Sequence, residues 1–148
     1  DLTMKPIVLE NKVNLGKKLS LTNLEVQGMN KRSSGRETET NRAKRVDLIK
    51  VTFTLDFNYV ADLGAKRFYL RIITPEGVTL SNEQMGGGTF RVGGEDYLFT
   101  MAHEINFDNT GQNVTFYYDK GDSWESGMYK AEIYADGFLI GSQDLKLR

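Results

Sequence analysis

The stretch from Glu125 to Arg148 constrains the fold of this chain most tightly. Gly127 supplies a tight entry, and Tyr129, Ala131, Ile133 and Ala135 then alternate with Lys130, Glu132 and Tyr134. Asp136-Gly137 provides a two-residue turn, and Phe138-Leu139-Ile140 begins a return strand. Alternating apolar residues around Asp-Gly are a strong short-range signal for a β-hairpin.

The spacing Ser126-Gly127-x-Tyr129-x-Ala131 looks like the corner of an immunoglobulin-like domain. In such a corner a tyrosine two residues before the usual cysteine position ties its strand to the preceding loop. Ala131 takes the cysteine position here.

The remaining chain repeats the strand pattern. Lys18–Val26 alternates Leu19 and Leu21 with Ser20 and Thr22, then changes parity at Leu24 and Val26, which predicts a bulge near Asn23. Ile49, Val51, Phe53, Leu55, Phe57 and Tyr59 share one parity and predict a strand with a single apolar face. Lys66–Ile73 is the next strand, closed by the turn Thr74-Pro75-Glu76-Gly77, with a short Val78-Thr79-Leu80 beyond it. Gly93-Gly94 joins Thr89–Val92 to a return strand whose Tyr97, Phe99, Met101, His103, Ile105 and Phe107 predict one long run. Val114–Tyr118 follows the turn Asp108–Asn113. Eight or nine short strands divided by regular turn signals predict an all-β, antiparallel, two-sheet β-sandwich of the immunoglobulin-like kind. No helix is predicted.

At 148 residues the chain has room for one core. Residues 1–16 read as a lead-in segment and 17–148 as the sandwich, interrupted by a long basic loop at 29–45. The opening Asp1-Leu2-Thr3-Met4 reads as a processed or truncated start. With no cysteine there are neither disulfides nor thiolate metal sites, and with a net charge of −1 there is no global attraction to nucleic acid or acidic lipid. Any electrostatic partner must therefore be met locally.

The basic loop is the leading contact candidate. Lys31, Arg32, Arg36, Arg42, Lys44 and Arg45 face only Glu37 and Glu39, for a local net charge of +4. Such a segment suits an anion or an acidic partner surface; its plain alternative is a solvated loop, and it lacks the aromatics that stack nucleic-acid bases. Trp124, Tyr117 and Tyr134 form a second candidate, a sugar-stacking set, against the alternative that these rings fill the core. Asp108, Asn109, Asn113, Asp119 and Asp122 carry oxygens that suit Ca²⁺, yet their spacing does not match the EF-hand loop, and the alternative is self-bonded turns. His103, the single histidine, lies on an apolar parity and reads as a packed core residue. Glu125 and Glu132 show no sign of converging as an acid pair. Met85-Gly86-Gly87-Gly88 lacks the Lys-Ser/Thr of a phosphate loop and reads as a connection.

Three segments taken together, Phe68–Gly77, Tyr97–Thr100 and Gly127–Gly141, resemble a group of uncharacterised bacterial cell-envelope proteins in which such a sandwich follows a membrane anchor and a coiled coil. The resemblance runs from near Val46 to the end and implies an extracytoplasmic envelope module; the sandwich signature without a catalytic constellation reads as a non-enzymatic interaction or structural role. No cofactor is expected from the motifs present; the resemblance implies a protein or glycan partner from the envelope, and membrane contact only through a preceding N-terminal region. A carbohydrate-binding module using Trp124 is the alternative.

Overall fold

The computed structural model describes residues 19–58 and 63–148. The predicted lead-in at 1–16 and Tyr59 lie outside the described residues. Among these residues ten strands make two four-stranded antiparallel sheets and a small two-stranded one. The first sheet runs in the order β2-β1-β3-β8, from β1 (Leu21–Lys31), β2 (Glu37–Glu39), β3 (Leu48–Leu55) and β8 (Asn113–Tyr118). The second runs β10-β9-β4-β7, from β4 (Gly64–Ile73), β7 (Met101–Phe107), β9 (Gly127–Ala135) and β10 (Phe138–Leu147). β5 (Gly88–Val92) and β6 (Glu95–Phe99) form the third. No helix among the described residues is long and apolar enough to cross a membrane.

The two large sheets face each other across the core that the alternation predicts. Ile49, Val51, Phe53 and Leu55 on β3 are buried, as are Phe68, Leu70 and Ile72 on β4 and Ala131, Ile133 and Ala135 on β9. Phe53 meets Phe68 of the other sheet at 6.2 Å between ring centroids, and Phe116 of its own sheet at the same distance. Apolar side chains interleaved between two sheets supply most of what holds such a fold together.

The bulge near Asn23 is present: the β1–β3 register shifts between Thr22 and Glu25, and Asn23 has φ 55°. The extra residue lets Leu21 before it and Leu24 and Val26 after it all reach the core. Thr74–Gly77 closes with Gly77 N–H donating to Thr74 O at 2.9 Å. The turns Gly93-Gly94 (φ 58° and 84°) and Asp136-Gly137 (φ 51° and 80°) take the two positive φ values that a tight hairpin requires.

Three expectations need correction. Among the described residues the strand count is ten rather than eight or nine, because part of the basic segment is itself strand. Residues 29–45 are not one irregular loop: Met29–Lys31 continue β1, Glu37–Glu39 pair with them, and Ala43–Arg45 form a 3-10 turn. Dense charge masked this hairpin, since Glu37-Thr38-Glu39 offers no apolar alternation. The long run Tyr97–Phe107 is two strands in different sheets, divided at Thr100.

Thr100 is wholly buried at that division. Its N–H donates to Leu70 O, its hydroxyl donates to Leu80 O at 2.6 Å, and the same oxygen accepts from Ile72 N–H at 2.8 Å. The chain can thus leave one sheet for another without orphaning buried backbone groups. Beyond it the β5–β6 hairpin folds over the outer face of the second sheet, where Phe90 and Phe99 pack on Tyr69 and Tyr134.

A cationic cleft at one end of the sandwich

The 3-10 turn Ala43–Arg45 is fixed on several sides. Ala43 N–H donates to Arg148 O at 2.9 Å, Arg148 N–H donates to Asn41 O at 2.6 Å, and Asp47 N–H donates to Met29 O at 2.8 Å. The Asn30 amide donates to Arg45 O at 2.8 Å. Ala43 and Val46 are buried and anchor the turn to the core, so Arg42, Lys44 and Arg45 project into solvent from fixed backbone.

The loop before β9 forms the facing wall. Asp119 and Asp122 accept from the N–H groups of Gly121 and Ser123, shaping the descent from β8. Trp124 is only 4% exposed and lies edge-on against Tyr118 and Tyr129, with ring centroids 6.4 and 5.6 Å away. The Tyr129 hydroxyl holds the backbone of Glu125, which fixes Trp124 and Ser126 on either side. The indole Nε1 of Trp124 is buried and has no hydrogen-bond partner among the described residues. A buried donor left unmatched costs free energy.

Between these walls lies a cleft of about 600 Å³. Its charged lining is Arg42, Lys44, Arg45 and Arg148; Trp124, Ala43 and Ser126 complete it. No Asp, Glu or His residue is among its lining. A neighbouring hollow of about 420 Å³ shares Arg42 and Arg45 and adds Glu39, Thr40 and Asn41. None of these four cations takes part in an ion pair among the described residues. Guanidinium groups over a partly apolar floor suit the oxygens of a carboxylate, sulfate or phosphate, since charge attraction gains strength where water is partly excluded.

The structure divides the six predicted cations. Arg42, Lys44 and Arg45 share the cleft, whereas Lys31, Arg32 and Arg36 stand at the β1–β2 turn, which Arg32 N–H closes by donating to Arg36 O. Arg148 and Ser126 join the cleft without a sequence signal, because the contact between Arg148 and Asn41–Ala43 spans more than a hundred residues.

The predicted sugar-stacking set is not assembled. Trp124 is buried in the cleft floor, and Tyr134 is buried beneath the β5–β6 hairpin against Phe90. Tyr117 is exposed on the outer face of the first sheet, beside Lys50. Alternation explains the separation, since Tyr117 and Tyr134 both take the parity opposite to the main core.

His103 is exposed rather than buried, on the edge strand β7, with its ring 4.8 Å from that of Phe116. The acidic turns spend their oxygens on themselves and their neighbours. Asp108 accepts from Thr110, Asn109 bridges both backbone groups of Asn58, and Asn113 accepts from Thr54. No group of three metal-ligating side chains occurs among the described residues. Glu132 is paired with Arg71 at 3.0 Å. Glu125 precedes it by seven residues of mostly extended chain, on the order of 20 Å, well beyond the separation of a glycosidase pair.

Residues 22–148 match the model of the family described as "Domain of unknown function (DUF8428)". No curated protein matches the chain. Among solved structures, similarity extends to the Pseudomonas fluorescens alkylpurine DNA glycosylase AlkC bound to DNA containing an abasic site analog, at 13% identity and a TM-score of 0.47. That match covers 90% of this chain and 31% of the glycosylase chain. The chain thus spans about a third of that protein, and a likeness of this degree carries no argument about function.

Proposed function

The chain belongs to the DUF8428 family, and we propose that it is a non-enzymatic binding module of immunoglobulin-like build whose contact surface is the cationic cleft beside Trp124. The observation that carries this reading is the convergence of Arg42, Lys44, Arg45 and Arg148 on one cleft with no Asp or Glu side chain in its lining. The fixed turn supports it as well: cations held on rigid backbone need little ordering when an anion arrives. The immunoglobulin-like assignment rests on two facing antiparallel sheets and on the Tyr129–Glu125 corner. An anionic envelope glycan or an acidic protein surface fits the same charge.

Titration of Trp124 fluorescence with polyanions of each kind, a sulfated or uronate polysaccharide and an acidic peptide, tests the reading. The chain has a single tryptophan, and it lies in the cleft floor, so the signal reports the cleft directly. Binding is expected to weaken as salt rises and to be lost in the double variant Arg42→Ser/Arg45→Ser, with Arg32→Ser/Arg36→Ser behaving as wild type. Equal binding by all three proteins, or none by the wild type to any polyanion, would rule out the cleft.

A further inference from the structure

The hollow beside the cleft differs from it in chemistry. Both are lined by Arg42 and Arg45, but the cleft adds Lys44, Arg148 and Trp124, whereas the hollow adds Glu39, Thr40 and Asn41. Glu39 and Arg42 are three residues apart in sequence, at most about 11 Å along the chain. One ligand of two linked units therefore reaches both compartments.

Three side chains of the hollow keep bonding capacity among the described residues. Glu39 Oε2 accepts from the Gln27 amide at 3.2 Å, which leaves Oε1 to accept elsewhere. Thr40 Oγ1 accepts from Arg42 N–H at 3.2 Å, which leaves its own proton to donate. Asn41 Oδ1 accepts from the Arg148 guanidinium at 3.2 Å. A guanidinium only donates, so the amide oxygen must face it and the two donors of Nδ2 are left over. Backbone bonds fix the segment: Thr40 N–H donates to Gly28 O at 2.8 Å, and Asn41 O accepts from Arg148 N–H at 2.6 Å.

Building on the cleft as an anion-binding surface, we infer that its ligand is an acidic glycan in which a charged sugar is joined to an uncharged one. The charged sugar occupies the cleft, the uncharged one occupies the hollow, and Glu39 sets this pattern. Charge selects the occupant. A carboxylate only accepts, so Glu39 calls for a ligand group that donates. An ammonium is disfavoured there by Arg42 and Arg45, which line the same hollow, and a second anion is disfavoured by Glu39 itself. Hydroxyls meet both conditions: they donate to Glu39 and accept from Thr40 and Asn41 without carrying charge. A peptide of consecutive acidic residues, or a sugar chain charged at every unit, sets an anion against Glu39 instead.

Trp124 emission, titrated at one low salt concentration with three probes of equal carboxylate number, tests the inference. The probes are a hyaluronan oligosaccharide, charged on alternate sugars, an oligogalacturonate, charged on every sugar, and an oligoglutamate. The wild type is expected to bind the hyaluronan about five- to tenfold more tightly than either other probe, the scale of one like-charge contact at a partly exposed site. Glu39→Gln keeps the size of the side chain and removes its charge, so the preference should fall to about twofold or less, through tighter binding of the oligogalacturonate. A merely structural role for Glu39 would weaken all three probes alike. Binding that is lost in Arg42→Ser/Arg45→Ser yet shows no preference for hyaluronan, or a preference that Glu39→Gln leaves unchanged, overturns this inference and keeps the cleft. Absence of binding to every probe overturns both. Should Glu39→Gln lose the circular dichroism of the wild type, the wild-type order of affinities decides alone, and equal affinities or an order led by oligoglutamate overturn the inference.

Discussion

The phenol oxygen of Tyr129 donates to the carbonyl of Glu125 at 2.7 Å and accepts from the N–H of the same residue at 3.2 Å. One side chain thereby satisfies both backbone groups of the residue between Trp124 and Ser126. Tyr129→Phe keeps the ring that packs on Trp124 and removes only the hydroxyl. We expect a loss of about 1–2 kcal/mol, measured by urea denaturation, with a shift in Trp124 emission. An unchanged midpoint would mean that the corner bond contributes nothing to the fold.

Alkaline pH should unfold the protein through its buried phenols. Burial raises Tyr118, Tyr129 and Tyr134 above their ordinary value of 10.0. Asp119 adds to the effect at Tyr118, whereas the hydrogen bonds from Glu125 at Tyr129 and Arg71 at Tyr134 oppose it. Above pH 10 the unfolded chain releases phenol protons that the folded chain still holds, so stability falls as pH rises through the folded values. Below that value both states keep these protons, and the three tyrosines give no slope. Melting temperatures recorded from neutral to strongly alkaline pH should be flat with respect to these groups and then decline; no decline beyond pH 10 would contradict the account.

Gly127, where β9 begins, has φ 138°, and a Cβ there would lie 2.5 Å from Pro75 Cγ. The entry to the last hairpin and the Thr74–Gly77 turn touch at this point, with room only for a hydrogen. Gly127→Ala is expected to cost about 1–3 kcal/mol. Because the clash is with a proline ring, Pro75→Ala in the same chain should recover part of that loss. Strictly additive effects in the double variant would show that the contact plays no part.

Thr100→Val keeps the shape of a side chain that is wholly buried and removes its hydroxyl. Leu80 O then loses a donor and Ile72 N–H an acceptor, at a cost of about 2–4 kcal/mol. Calorimetric melting measures the loss. A drop no larger than that of an exposed Thr→Val control, such as Thr115→Val, would rule out a structural role for this bond pair.

Legibility in the sequence followed burial. Alternation at Ile49–Leu55, Phe68–Ile72 and Tyr129–Ala135 was readable because each of these strands puts one face into the core. It failed at Tyr97–Phe107, where the same parity serves two different cores on either side of Thr100. The β1–β2 hairpin was hidden because β2 is only three residues, Glu37-Thr38-Glu39, with no apolar alternation to reveal it. Three of the four cations of the cleft, Arg42, Lys44 and Arg45, were visible as a charge cluster.

By itself the sequence determined an all-β antiparallel chain, its turns at Gly77, Gly94 and Gly137, the bulge at Asn23 and the corner at Tyr129, because each depends on residues close together along the chain. Tertiary structure alone decided which cations meet. Arg148 reaches Asn41 and Ala43, and Trp124 comes to face them, only after β9 and β10 have paired and packed against β1. Contacts between residues so far apart are set by sheet registry and closure of the core, and no local pattern of residues encodes them.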